Sequence, residues 1–166
     1  TWTQGIDSGL GGPCARFHIR RLKSGRILMI NHYQFVGRDH LTAMLSEDEG
    51  KTWKYKLLLD ERADVSYPDA KEADDGYIYI TYDRERGAFK NSMEEAFSDA
   101  REILIAKITE ADIIAGGITD EGSKLKFVAS KLGKYENENR NPYLLTKLTA
   151  LENVELPLIY RGVPAA

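Results

Sequence analysis

The chain has 166 residues, of which 42% are apolar and 30% are charged, a composition typical of one globular domain with a buried core. The net charge of −3 provides no basic surface for a nucleic acid, and no apolar run approaches the roughly 18 residues that a membrane span requires. Cys14 is the only cysteine, which excludes an intrachain disulfide and a thiolate metal cluster. We therefore treat residues 1–166 as a single domain.

The first group of predicted strands covers about residues 13–57. Ser24 and Gly25 mark a tight turn near its start. The continuous apolar run at 27–30 is expected where both faces of a sheet are covered by neighbours. The pattern predicts four strands, near 16–22, 26–33, 39–46 and 52–58.

Residues 46–53, between the third and fourth predicted strands, read S-E-D-E-G-K-T-W. The Ser46 hydroxyl and the Asp48 carboxylate can hydrogen-bond the backbone of a turn, as Ser and Asx turns do. Gly50 can take a positive φ at no steric cost, and the Trp53 ring can pack beneath the turn. The pattern S-x-D-x-G-x-T-W, an Asp box, therefore predicts a hairpin turn rather than a catalytic group. Its structural residues are Ser46, Asp48, Gly50, Thr52 and Trp53.

The second group of predicted strands covers about residues 64–132. Asp75 and Gly76 indicate a tight hairpin turn. Two short helical insertions are expected. Residues 92–100 begin with an S-x-x-E capping box, and residues 109–116 begin with T-E-A-D, end in glycine and replace the Asp box of this group. The strands are predicted near 66–72, 77–83, 102–108 and 124–130.

Residues 133–166 form a tail that does not continue the strand pattern. The stretch at 134–141 is highly polar, which predicts a loop. The stretch at 144–158 mixes apolar and polar residues without a clear period, so strand and helix both stay open there.

The two groups are related by a repeat of 51 residues, which relates Trp2 to Trp53 and Gly25 to Gly76. A repeat near 50 residues that contains several short strands is typical of β-propeller blades. We therefore expect an all-β fold with about two four-stranded antiparallel blades of a larger ring. Thr1 and Trp2 match the last two residues of an Asp box, so we expect the chain to be part of a longer protein.

Four polar residues occupy repeat-equivalent positions on the strands expected to be innermost in a propeller. Arg16 is equivalent to Tyr67, and His18 is equivalent to Asp69. Strand order places Arg38 at the same end of the sheets. Arginine offers bidentate hydrogen bonds to a carboxylate, so the set is suited to an acidic sugar. The alternative is that these residues satisfy one another around a water-filled channel.

The segment around Tyr67 reads V-S-Y-P-D and is followed by D-G-Y-I-Y at 75–79, while Arg38 lies in G-R-D-H-L just ahead of the Asp box. Over about residues 13–109 this pattern resembles the exo-α-sialidase family. The resemblance implies a six-bladed β-propeller in which Tyr67 is the nucleophile and Arg38 is one of three arginines that bind the substrate carboxylate. The other residues expected to line this pocket are Arg16, His18 and Asp69.

The resemblance has departures that bear on function. Pro68 stands where the family has a serine, and the family's aspartate acid/base, activating glutamate and two further arginines have no evident counterpart. Two functions therefore stay open: hydrolysis of terminal acidic sugars from glycans, and non-catalytic glycan binding or scaffolding. Because catalytic groups act as a unit, we expect residues 1–166 alone to be inactive as a glycosidase.

The expected partners are a glycan or glycoconjugate and the remaining propeller blades, or a second copy of the chain. No metal is expected, because the three histidines do not have a metal-ligand spacing. No other cofactor is expected, because the paired glycines read as turns rather than as a phosphate-binding loop. The family resemblance implies that the parent protein is secreted or periplasmic.

Overall fold

The computed structural model of the protein describes residues 4–5, 7, 9–85 and 101–132. These residues form two four-stranded antiparallel sheets in which sequential strands are hydrogen-bonded neighbours. Sheet 1 contains β1 (His18–Arg21), β2 (Ile27–His32), β3 (Leu41–Ser46) and β4 (Tyr55–Asp60). Sheet 2 contains β5 (Val65–Glu72), β6 (Ile78–Arg84), β7 (Arg101–Ile108) and β8 (Lys124–Leu132), and the helix α1 (Glu110–Ala115) lies between β7 and β8.

The predicted all-β fold with two four-stranded antiparallel sheets is confirmed, and each predicted strand is present close to its expected position. The helix predicted at 109–116 is present as α1, with Thr109 as its N-cap and Gly116, at φ 71°, as its C-cap. No helix in the described ranges is long and apolar enough to cross a membrane. Trp2, the helix predicted at 92–100 and the tail at 133–166 lie outside the described residues.

The 51-residue repeat is present in the backbone hydrogen bonds of the two sheets. The amide of Leu22 donates to the carbonyl of Arg26 at 2.9 Å, and the amide of Ala73, 51 residues later, donates to the carbonyl of Tyr77 at 2.9 Å. The strand register repeats as well, since His18 lies opposite Ile30 and the equivalent Asp69 lies opposite Thr81. The sheets are therefore two copies of one structural unit.

Apolar side chains of both sheets form one buried cluster. Sheet 1 contributes one face of its strands, including Leu28 and Ile30, and every residue of β3 is buried. Met29 and Met44, which lie opposite each other on the other face of sheet 1, are buried too. Both faces of sheet 1 are thus covered, and full burial of each such side chain stabilises the fold by about 1.5–3 kcal/mol. The contribution of sheet 2 to the cluster includes Ile78, Ile80, Tyr82, Leu104, Ala106 and Ile108.

Antiparallel strand order separates the connections into two ends of the sheets. The Asp-box end carries the Asp box, the β1–β2 and β5–β6 turns and α1. The opposite end, which we call the Tyr67 end, carries the start of β5 and the β2–β3 loop at 33–40. The amide of Val65 donates to the carbonyl of Arg38 at 3.0 Å. This bond joins the loop of sheet 1 to the first residue of β5.

Candidate functional site

The Asp box forms a compact turn between β3 and β4. Asp48 accepts hydrogen bonds from the Thr52 hydroxyl at 2.6 Å, the Thr52 amide at 2.8 Å and the Ser46 hydroxyl at 2.8 Å. These bonds, led by those from Thr52, lower the pKa of Asp48 to about 2. Gly50 has a φ of 81°, and a β-carbon there would lie 3.7 Å from the Trp53 ring. All of these groups serve the turn itself, which supports a structural role.

In sheet 2 a different carboxylate closes the connection between β7 and β8. Asp112 accepts hydrogen bonds from the amide of Thr119 at 2.6 Å, the hydroxyl of Ser123 at 2.6 Å and the amide of Thr109 at 2.8 Å. Burial favours the neutral acid, but these bonds outweigh it and hold the pKa of Asp112 well below its usual range. Sequence reasoning identified the cap at Thr109 but missed the central role of Asp112, because its other partners lie beyond the helix.

Tyr67 is held in an unusual backbone conformation at the start of β5. The register between β5 and β6 shifts between Ser66 and Asp69, so Tyr67 and Pro68 lie in a bulge. Tyr67 has a φ of 53°, which a bulky residue before proline rarely adopts and which costs on the order of 1–3 kcal/mol. The side chain is 37% exposed. Such strain is often stored at functional sites, and here it sets the direction of the Tyr67 side chain.

Arg38 lies against Tyr67. The guanidinium carbon of Arg38 is 5.9 Å from the centroid of the Tyr67 ring, which is within cation–π distance. One guanidinium nitrogen donates to the carbonyl of Cys14 at 3.1 Å. Because the Arg38 carbonyl also accepts from Val65, both the backbone and the side chain of this residue are fixed at the Tyr67 end. The structure therefore brings Arg38 and Tyr67 into contact at the end of the sheets where strand order had placed both residues.

Asp69 binds the other two candidate residues. Nδ1 of His18 lies 2.9 Å from one carboxylate oxygen of Asp69, and the Arg16 guanidinium lies 3.8 Å from the other. Burial lowers the pKa of His18 below its ordinary value, although Asp69 raises it. His18 is therefore neutral at pH 7 and donates its Nδ1 proton to Asp69. This second group matches the alternative in which the polar residues satisfy one another.

Sequence reasoning missed a partly buried charge network between the two sheets. Arg62 donates to both carboxylate oxygens of Asp60, at 2.9 and 2.6 Å, and lies 3.4 Å from the carboxylate of Glu102. Tyr82 donates to Asp60 at 3.0 Å, and Arg84 lies 3.3 Å from Glu102. The partners come from β4, β6, β7 and the β4–β5 connection, so no local sequence pattern could have found them. Within the described ranges, no cluster of three or more His, Cys, Asp or Glu residues could hold a metal ion.

Comparison with known proteins gave one match. Residues 1–80 match the family model of the BNR repeat-like domain, a span just short of half the chain. No curated protein and no solved structure matched the chain. The matched span contains the Asp box, Arg38 and Tyr67. BNR repeats occur in sialidases and related glycoside-binding proteins, which agrees with the repeat found here.

Proposed function

We propose that the parent protein is a carbohydrate-active propeller that binds an acidic sugar at the Tyr67 end. The observation that carries this proposal is the pairing of the Arg38 guanidinium with the exposed ring of Tyr67. The guanidinium offers planar, bidentate donors for a sugar carboxylate, and the aromatic ring offers an apolar face for the sugar. Arg16 adds a second cation beside Asp69. The match to a BNR repeat-like domain supports the same class of ligand.

The reaction we propose is hydrolysis of a terminal acidic sugar, as the resemblance to exo-α-sialidases implies. Tyr67 is the nucleophile, whose phenol oxygen attacks the anomeric carbon, and Arg38 binds the substrate carboxylate. Tyrosine nucleophiles are a known exception to the usual carboxylate pair of glycosidases. A neutral nucleophile also avoids repulsion by the substrate's own charge. A carboxylate must still take the phenol proton, and a general acid must protonate the leaving group.

A non-catalytic glycan-binding or scaffold propeller is the second candidate function. The contacts of Asp69 favour this non-catalytic function, because one of its carboxylate oxygens already faces His18 and the other faces Arg16. A carboxylate held in this way orients a pocket better than it transfers protons. In either case the missing parts of the pocket come from further propeller blades. From the resemblance to exo-α-sialidases we also propose that the protein is secreted or periplasmic.

The test is a screen of the full-length parent protein against aryl α-sialosides and aryl uronides, with binding measured in parallel by calorimetry. We expect Tyr67→Phe to abolish hydrolysis and retain binding, and Arg38→Lys to weaken binding because lysine lacks the planar fork. Tyr79→Phe is the matched control, since the Tyr79 hydroxyl binds Asp75 at the opposite end of the sheet. Binding without hydrolysis would favour the non-catalytic function. The absence of both binding and hydrolysis would contradict the proposal.

A further inference from the structure

Two histidines, a buried His32 and a partly buried His18, lie on one face of sheet 1, next to the Tyr67 end. His18 on β1 lies directly opposite Ile30 on β2, and His32 is two residues further along β2. Because side chains alternate along a strand, His18, Ile30 and His32 share a face. Diagonal neighbours across antiparallel strands are within reach of aromatic side chains, so the two imidazoles are neighbours. His32 is only 1% exposed.

Each imidazole has one partnered and one unpartnered nitrogen. Nδ1 of His32 lies 2.7 Å from the backbone carbonyl of Asp39, and Nδ1 of His18 lies 2.9 Å from the carboxylate of Asp69. The Nε2 atoms of both rings are buried without a hydrogen-bond partner among the described residues. A carbonyl oxygen only accepts, so Nδ1 of His32 carries the proton and Nε2 is a bare acceptor.

Protonation of these rings is unfavourable in the folded chain. It would create a buried N–H group without an acceptor at Nε2 and would place a charge in a site shielded from water, a cost that the nearby carboxylates of Asp69 and Asp39 offset only in part. Burial is the largest cause that lowers the pKa of both histidines. The charged groups that act on the two rings are Arg16 from the segment before β1, Arg20 from β1, Asp69 from β5, and Arg38 and Asp39 from the 33–40 loop.

His32 is also the residue that anchors the loop carrying Arg38. Its Nδ1–H bond to Asp39 holds the backbone one residue after Arg38, whose own carbonyl is bound by Val65. We propose that His32 is a positioning residue that holds Arg38 in its binding conformation only while the imidazole is neutral, so that acidic-sugar binding is lost in acid. This inference rests on the proposed function for the ligand, but the behaviour of the loop can be tested without one.

The direction of the pH effect follows from the lowered pKa of His32. The pKa of His32 in the folded protein lies below its ordinary value of 6.5. The unfolded or locally opened chain therefore takes up a proton first as the pH falls. The stabilising contribution of neutral His32 is complete above pH 6.5 and is lost as the pH falls from there through the folded pKa.

The first experiment is an NMR titration of the histidine ring protons of the 166-residue chain, with amide hydrogen exchange measured at each pH. We expect His32 to titrate below 6.5 and the amides of Val65 and Tyr33, which bind the two ends of the Arg38–His40 segment, to lose protection together with that titration. The amide of Ala73 at the Asp-box end is the internal control. Unchanged protection of Val65 after His32 has titrated would overturn the proposal.

Two variants distinguish an effect of His32 protonation from an effect of side-chain packing. His32→Asn keeps a donor near the Nδ1 position but does not titrate, so Val65 should stay protected in acid. His40→Asn is the matched control, because His40 is partly exposed and its ring binds the Asp39 side chain rather than the backbone. We expect His40→Asn to keep the wild-type pH dependence. If His32→Asn fails to fold, the wild-type titration alone decides the proposal.

The binding experiment uses a methyl α-sialoside, whose carboxylate stays ionised across this pH range. We expect the affinity of the wild type to fall as the pH drops from 6.5 through the folded pKa of His32 and to level off below it, and the affinity of His32→Asn to stay level throughout. Binding that persists after His32 is protonated would overturn the inference. If the sialoside binds at no pH, the proposed function fails, and the exchange data alone decide whether neutral His32 holds the loop.

Discussion

At the scale of single residues, one carboxylate organises the third connection of each sheet. Asp48 does so within the Asp box, with partners no more than four residues away. Asp112 does so in sheet 2, with partners up to eleven residues away. The two solutions share a physical principle: a carboxylate replaces backbone carbonyls as the acceptor for amides that a turn would otherwise leave unpaired.

Replacing Asp112 tests this role. In Asp112→Asn one oxygen becomes an NH₂ group, so buried donors of Thr119 or Ser123 lose their acceptor. We expect the free energy of unfolding at pH 7 to fall by about 1–3 kcal/mol, measured by chemical denaturation. Asp74→Asn, at a fully exposed carboxylate, is the control and should change stability little. Equal stability of the two variants would contradict the role assigned to Asp112.

The pKa of Asp48 gives a second test at this scale. Its folded value of about 2 lies below its ordinary value of 3.8, so the Asp box stabilises the fold fully above pH 3.8. That contribution is lost as the pH falls from 3.8 towards 2. We expect an NMR titration to show Asp48 still ionised at pH 3. Ser46→Ala removes one donor and should raise the pKa of Asp48, whereas an ordinary pKa in the wild type would contradict the hydrogen-bond pattern.

The range of the contacts explains which residues could be predicted from the sequence. The Asp box was predictable because its bonds close within the motif. Strand order predicted that Arg38 and Tyr67 share an end of the sheets, because it fixes which loops lie there, but it did not predict their contact. The bulge that sets the direction of the Tyr67 side chain was not predicted, because the sequence analysis assigned this segment to a continuous strand. The contact of Arg62 with Glu102 spans 40 residues and depends on how the sheets pack.

At the scale of secondary-structure elements, ion pairs join the ends of strands from different sheets. Arg62 follows β4 of sheet 1 and binds Asp60 beside it, while Glu102 on β7 belongs to sheet 2. Lys131 on β8 adds a third cation at 3.4 Å from Glu102. The Asp60 side chain is completely buried, so its charge depends on Arg62 and Tyr82 for compensation.

Removing Arg62 should be costly for this reason. We expect Arg62→Leu to lower the free energy of unfolding by about 3 kcal/mol, at the low end for buried pairs because Arg62 is partly exposed. Denaturant unfolding monitored by circular dichroism provides the measurement. Arg21→Leu is the matched control, since Arg21 pairs with Glu49 on the surface. A small effect at Arg62, similar to that at Arg21, would show that the network does not join the sheets.

At the scale of the whole molecule, the repeat leaves one sheet face exposed in the described part of the chain. Ile30 lies on the face of sheet 1 that contributes to the shared core, and its repeat equivalent is Thr81. Thr81, Ile105 and Phe127 lie in one row across β6, β7 and β8. Phe127 is 57% exposed, whereas Ile30 is completely buried. The equivalent surface is therefore covered in sheet 1 and exposed in sheet 2.

We expect this face to mediate self-association of the 166-residue chain, because exposed apolar sheet faces favour burial against another sheet. Sedimentation velocity over a range of concentrations should show oligomers, and Phe127→Lys should shift them towards the monomer. Val36→Lys replaces a 94% exposed apolar residue in the 33–40 loop and is the control. Monomeric wild-type chain at all concentrations would count against an interface on sheet 2.

We expect no catalysis from the 166-residue chain alone. Under the proposed function, Tyr67 and Arg38 supply only part of the catalytic set of an exo-α-sialidase, and such sets act as units whose partial versions lose most of their activity. An open pocket also stays wet, and water weakens the attraction between Arg38 and a substrate carboxylate severalfold relative to an enclosed site. We therefore expect no release of aryl aglycone from an aryl α-sialoside by the purified 166-residue chain. Turnover that Tyr67→Phe abolishes would show instead that association of copies completes the site.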